Sequence, residues 1–210
     1  MDRNGRRYHH GDLPAALIAA GVELARAGGP EAVTLREVTR SAGVTANAAY
    51  RHVTGRHALV LAVAARAEQH LARAMEERMA RADTDADADA ASARRAGRRL
   101  RALGLAYIDF AVAEPGWFRL AFHAGAGGGA PDTAPYRLLL AALDDLVAAG
   151  ALDASRRPNA AWACWSAVHG FAELAIQGPL RGHPAAAVGD IAEYVVDAAV
   201  RGVVAAPVAD

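Results

Sequence analysis

Lysine is missing from the 210 residues, and all 23 basic side chains are arginine. That absence excludes a Walker A phosphate lysine, a pyridoxal Schiff base and the strand lysine of a protein kinase. A single cysteine, Cys164, leaves no internal disulfide framework and no cysteine-rich zinc site, and a reducing cytoplasm is the expected compartment. Long hydrophobic runs are also lacking. The stretch after Arg3, Arg6 and Arg7 is broken by Asp12, Pro14, Glu23 and Arg26, so neither a signal-peptide core nor a membrane span is expected. Aromatics make up only 6% of the chain, and the 53% hydrophobic fraction is about half alanine, with 56 residues of it. Alanine is the strongest helix former, so this composition predicts an all-α protein, long enough for a sizeable core. Net charge is zero, yet residues 1–60 hold 8 Arg against 5 acids and the remainder 15 against 18, a mildly basic head on a mildly acidic body.

Hydrophobic spacing divides the chain into roughly nine helices with no defensible strand. Asp12 is placed to cap a first helix, whose stripe Leu13, Leu17 and Leu24 ends at Gly28-Gly29-Pro30. Thr34-Leu35-Arg36-Glu37 reads as a reciprocal capping box opening a short helix that stops near Gly43. Thr45 caps the next, running through Asn47, Tyr50 and His52 to a break at Thr54-Gly55. Arg56 to about Arg81 keeps one apolar face, long enough to link two parts of the molecule. The Asp-Ala alternation from Asp83 to Arg95 has nothing to bury and reads as a solvated loop, and His123 to Pro135 as a Gly-rich one. Further helices follow around Leu100–Phe110, Trp117–Phe122 and Tyr136–Val147, and two long ones run from about Pro158 to Gln177 and from Pro184 to Val204.

The strongest functional signal is residues 34–59, two short helices joined at Gly43. By spacing, the second exposes Thr45, Asn47, Arg51 and His52 and carries few large apolar residues outward, as a helix entering a major groove must. These residues resemble the TetR family of bacterial transcriptional regulators: the Thr-capped helix, Ala42-Gly43-Val44 at the turn, then Tyr50-Arg51-His52 and Leu59. Tyr8-His9-His10-Gly11-Asp12-Leu13, the stretch Leu103 to Phe122, and Trp165 with His169-Gly170 resemble the branch named for a Trp-His-Gly (WHG) C-terminal domain. The resemblance implies a homodimer whose heads (residues 1–57) read a palindromic operator on double-stranded DNA and whose bodies (residues 58–210) bind a small effector. Most simply it is a repressor released by that effector; an activator or a ligand-independent regulator of the same fold is the alternative. Carried over by position, Arg36, Thr45, Asn47, Tyr50, Arg51 and His52 would face DNA, with Arg56 on phosphate. The residue types agree: Arg51 can fork onto guanine, Asn47 can pair with adenine, and Thr34 and Tyr50 can hold phosphates. Many relatives carry Lys at position 56 and a small residue at position 47, so base preference does not transfer.

In the body, Tyr107, Phe110, Trp117, Phe118, Phe122 and Trp162 are the candidate walls of a pocket for an apolar or aromatic effector, although such stripes commonly fill a core. Trp162, Trp165, His169, Ala172 and Ile176 step by 3 and 4, as do Val188, Ile191, Val195 and Ala198, the pattern of helices packed in a four-helix dimer interface. Trp165, His169, Ile176, Ile191 and Val195 are the expected interface residues. The run Gly125 to Ala130 fits G-x-G-x-x-A, but Pro131 and Pro135 interrupt the helix that should follow, so no dinucleotide cofactor is expected. His9 with His10, and His52 with His57, lack the i, i+4 spacing of a helical metal site, so no metal is expected. Cys164 and His169 are five apart, which turns them away from each other on a helix. A helical enzyme using either residue, or a scaffold that dimerises without binding DNA, is a rival that leaves the polar face of residues 45–52 without a role.

Overall fold

A computed structural model describes residues 13–51, 53, 55–84, 92–123 and 133–204. Among them it holds nine α-helices and no strand: α1 (Leu13–Gly28), α2 (Leu35–Ala42), α3 (Ala46–Tyr50), α4 (Arg56–Thr84), α5 (Ser92–Ala113), α6 (Pro115–His123), α7 (Ala134–Ala148), α8 (Arg157–Ile176) and α9 (Ala185–Val204). The all-α expectation is met. Asp12, the Tyr8–Asp12 stretch and the Gly-rich run 124–132 lie outside the described residues.

Side-chain caps set the starts of the short helices. The Thr34 hydroxyl accepts from the Glu37 amide at 3.2 Å, and the Thr45 hydroxyl from the Ala48 amide at 3.3 Å. Between them Gly43 closes α2 in the left-handed region, φ 68°, which a side chain would resist. The capping box is only half formed, because the Glu37 carboxylate turns forward to Arg40, with Nε donating at 2.9 Å and Nη2 at 2.5 Å, instead of back to Thr34. Residues 83–95 also differ from the expected loop. α4 continues to Thr84 and α5 begins at Ser92, since Ala and Arg on either side of the Asp-Ala run are good helix formers; residues 85–91 lie outside the described set.

α4 organises the molecule. Its 29 residues span about 43 Å and pack in turn against α1, α5, α6 and α7. α1, α2 and α3 form the head around Leu17, Val38 and Ala49. In the body α5 is sandwiched by α7, α8 and α9, and one continuous buried cluster runs from Leu17 through Leu59 and Leu71 to Tyr107, Phe118 and Leu143. A division after residue 57 falls in the first turn of α4, so head and body share that helix.

Head and body also meet where α6 begins against the end of α1. Gly116 sits so close that a Cβ there would lie 2.2 Å from the Ala25 carbonyl oxygen and 2.6 Å from that of Arg26. Beside it the Trp117 indole N–H donates to the Val22 carbonyl at 2.7 Å, and Arg26 forks onto Glu114 at 2.7 and 2.5 Å.

Candidate nucleic-acid interface and ligand core

At the head end of α4, the start of α2, the whole of α3 and the start of α4 present Arg36, Thr45, Asn47, Arg51 and Arg56, all exposed. None of the three arginines has an ion-pair partner among the described residues, whereas Arg40, equally exposed, is held by Glu37. Among the described side chains of α3, Ala49 alone is buried. Ala48 and Ala49 are small enough to let this five-residue helix lie close against α2, which leaves Thr45 and Asn47 outward. The hydroxyls of Thr34 and Thr45 are used as caps, but a hydroxyl that accepts still has its own proton to donate, so both retain a bond for a phosphate oxygen. Of the sequence-derived set, His52 and the side chain of Tyr50 lie outside the described residues.

The structure divides the six aromatics expected to line one pocket into three groups. Tyr107, Phe118 and Phe122 do meet, with ring centroids 5.5 Å (Tyr107–Phe118), 5.9 Å (Tyr107–Phe122) and 4.9 Å (Phe118–Phe122) apart. Phe110 and Trp117 belong elsewhere: they stack on each other at 6.2 Å, and Trp117 stacks on His70 at 4.7 Å under the Arg26 guanidinium. That places them at the head–body junction. Trp162 is 51% exposed and touches Tyr136 from outside.

Trp165 and His169, expected at the dimer seam, are instead part of the inner cluster. Trp165 is buried, 5.3 Å from the Tyr107 ring and 5.3 Å from that of Tyr136, and stacks on His169 at 5.8 Å. The Tyr107 hydroxyl and His169 Nδ1 share a hydrogen bond of 2.8 Å. The 3-4 stepping was real but the face was misassigned, because α8 is apolar nearly all round and periodicity cannot choose between its sides. Its buried stripe is Ala161, Cys164, Trp165, Val168 and Ala172. Burial and the Glu173 carboxylate push the Tyr107 phenol well above its ordinary range, and burial alone pushes the Cys164 thiol up to about 11. Both stay protonated at neutral pH, which leaves Cys164 a poor nucleophile.

Next to this cluster lies a cavity of about 20 Å³, bounded by Met75, Leu103, Tyr107, Cys164, Trp165 and Val196. It holds about one water, so a larger guest requires these side chains to move apart. Tyr136, which sequence reasoning left out of the pocket, packs on Trp165, and His169, for which the sequence left a ligand contact open beside the interface role, is bonded to Tyr107 in the same cluster.

The other side of α8 and α9 is an open apolar groove between Ala163 and Ala167 on one helix and Tyr194, Val195, Ala198 and Gly202 on the other. Ile191 is 40% and Tyr194 71% exposed beside it. Of the five expected interface residues, Ile191 and Val195 lie on this side, while Ile176 packs against the core. No group of three or more metal-ligating side chains occurs among the described residues, and none of their helices is long and apolar enough to cross a membrane.

Residues 17–63 match the family described as "Bacterial regulatory proteins, tetR family", and residues 100–199 match "Tetracyclin repressor-like, C-terminal domain". Among solved structures, a protein with unknown function from Rhodococcus sp. RHA1 is 27% identical, with 96% of this chain and 100% of that one covered and a TM-score of 0.71. A bacterial regulatory protein in the tetR family from Rhodococcus RHA1 is 20% identical over 92% and 97%, with a TM-score of 0.59. A substituted TetR from Acinetobacter baumannii AYE, in complex with minocycline, is 19% identical over 90% and 94%, with a TM-score of 0.61. No curated protein matches.

Proposed function

We propose that this chain, which belongs to the TetR family of transcriptional regulators and carries a helix-turn-helix DNA-binding domain, represses transcription as a homodimer on a palindromic operator and is released by a small apolar or aromatic effector. The observation that carries the reading is the exposed set Arg36, Thr45, Asn47, Arg51 and Arg56 at one end of α4, its three arginines without an ion-pair partner among the described residues, on a turn fixed by two threonine caps and Gly43. On the residue types, Arg51 forks onto guanine O6 and N7, Asn47 pairs with adenine, and Arg36, Arg56, Thr34 and Thr45 hold phosphates. Tyr50 and His52 join this set by position in the family pattern.

The head is residues 1–57 and the body 58–210. Within the family, Trp165, His169 and Gly170 support placing the body in the Trp-His-Gly branch. Dimerisation uses the open side of α8 and α9, where Ala163, Ala167, Ala198 and Gly202 allow two helix pairs to approach closely.

The effector enters the core beside Tyr107, Trp165 and Phe118, and the Tyr107 hydroxyl, bonded to His169, supplies a hydrogen-bonding point in a mostly apolar lining. Because the resting cavity has room for only a water, binding spreads the cluster, and two elements carry that movement to the head. α6 touches the cluster through Phe118 and Phe122 and α1 through Gly116 and Trp117, while α4 runs from the cavity wall to Arg56. Moving the heads from 99:1 competent to 1:99 needs an effector preference of about 5.5 kcal/mol for the released state. Footprinting on the DNA flanking the gene tests the proposal. Two symmetric protected half-sites about 34 Å apart, lost on adding effector, are expected; an unprotected flank would remove the functional reading while leaving the fold intact.

A further inference from the structure

Gly104 lies buried in the middle of α5, where a glycine weakens a helix. Neither a strained backbone nor a backbone approach accounts for it. Its φ is not in the left-handed region, and the three atoms nearest to a Cβ there would be side-chain methyls: Val196 Cγ1 at 3.1 Å, Val196 Cγ2 at 3.4 Å and Val168 Cγ1 at 3.4 Å. Those methyls can give, because Val168 and Val196 both border the core cavity and have space on that side. Gly116, whose Cβ would strike the backbone of α1, is the opposite case. What the missing Cβ leaves at Gly104 is room, since this glycine borders the same cavity where α5 meets α8 and α9.

The α5 side of the cavity is Leu100, Leu103, Gly104 and Tyr107, a stretch of about 10 Å along that helix. Leu139, Val168 and Val196 border it from α7, α8 and α9. None of the bordering side chains is ionised: burial keeps the Tyr107 phenol and the Cys164 thiol protonated, and the Glu173 carboxylate adds to this at Tyr107. An ion of either sign would shed its water there without a counter-charge. Because the resting cavity holds about one water, any guest has to part the methyls around it, and a single alkyl chain parts them less than a rigid ring system does. We propose that Gly104 sets ligand specificity in the core, and that the site takes an uncharged, elongated aliphatic molecule whose chain lies against Gly104 between Val168 and Val196. The proposal rests on the effector reading given above and narrows it from apolar or aromatic to aliphatic.

Calorimetric titration of the full chain with octanol, octanoate, octyltrimethylammonium and naphthol tests the proposal. Wild type is expected to bind octanol, and the two ions and naphthol at least tenfold more weakly. Gly104→Ala should weaken octanol about tenfold or more, as one carbon in an apolar pocket can. It should melt close to the wild-type temperature, because gained helix propensity offsets the tight methyl contacts. Adding Val196→Ala removes the methyls that the new Cβ meets and should restore octanol binding, whereas Gly97→Ala, with nothing within 4 Å of its Cβ, should leave it unchanged. No octanol binding, tighter binding of naphthol or of either ion, wild-type affinity in Gly104→Ala, or no recovery in the double variant would overturn the assignment. Footprinting keeps the two readings apart, since operator release by naphthol would leave an effector-released regulator standing while the aliphatic assignment falls.

Discussion

Replacing Gly116 with alanine perturbs a close backbone contact between α6 and the end of α1. The new Cβ would meet three backbone atoms, at 2.2 Å (Ala25 O), 2.6 Å (Arg26 O) and 3.1 Å (Arg26 C), and backbone at the end of α1 cannot swing aside as a side chain would. Restoring contact distance requires α6 to withdraw by roughly 1 Å. Overpacking of this kind costs about 1–3 kcal/mol, and stretching the Trp117–Val22 hydrogen bond about 1 more. The expected loss is therefore about 2–4 kcal/mol, which for a chain of this length lowers Tm by about 4–16 °C. Gly97→Ala is the internal control. Nothing lies within 4 Å of its added Cβ, and it sits inside α5, so it should raise stability by about 0.5–1 kcal/mol. Urea denaturation measures both. If Gly116→Ala lies within about 0.5 kcal/mol of wild type, α6 and α1 do not approach as described, and the route from ligand core to head through α6 fails with it.

Three further outcomes follow from the same structure. Phe118→Ala empties a side chain that is 0% exposed and should cost about 3–5 kcal/mol by denaturation, so a milder Phe118→Leu is the variant in which to look for altered effector response. Tyr194→Glu puts a charge on the open side of α8 and α9; sedimentation should find a monomer with unchanged helicity where wild type is a dimer, and a wild-type monomer at micromolar concentration would remove the dimer proposal. His70 is held below the ordinary histidine range, first by burial and then by Arg66 and Arg73, so the unfolded chain takes up its proton more readily. Its contribution to stability is present above about pH 6.5 and falls away as pH drops through its lower folded value; His70→Gln should flatten the Tm profile between pH 7 and 5, and an unchanged profile would refute that cause.

Where a local rule decided the structure, the sequence was readable. Thr34, Gly43 and Thr45 act through bonds to residues within four positions, and the helices start where these caps place them, although α3 ends at Tyr50, short of the expected run through His52. Glu37 shows the limit of such rules, since the motif offered it the Thr34 amide and the neighbouring Arg40 took it instead. Tertiary choices were less legible. Trp165 and His169 follow a helical seam, but with small or apolar residues all round α8, only the packing of Tyr107 and Tyr136 against one side settles which side is core. Trp117 could be read as aromatic but not as a clasp, because its partners Val22, Arg26 and His70 come from two other helices.

The central claim, sequence-selective DNA binding by the exposed head set, is tested most directly by fluorescence anisotropy on the gene's own upstream DNA and on a scrambled duplex across a salt series. Wild type should prefer the native duplex, with affinity falling steeply as salt rises. Arg51→Ala should lose about 1–3 kcal/mol on the native duplex and much of that preference, whereas Arg56→Ala should weaken both duplexes alike and flatten the salt slope by about one unit. Equal, salt-insensitive binding to both duplexes, or none to either, would contradict the account.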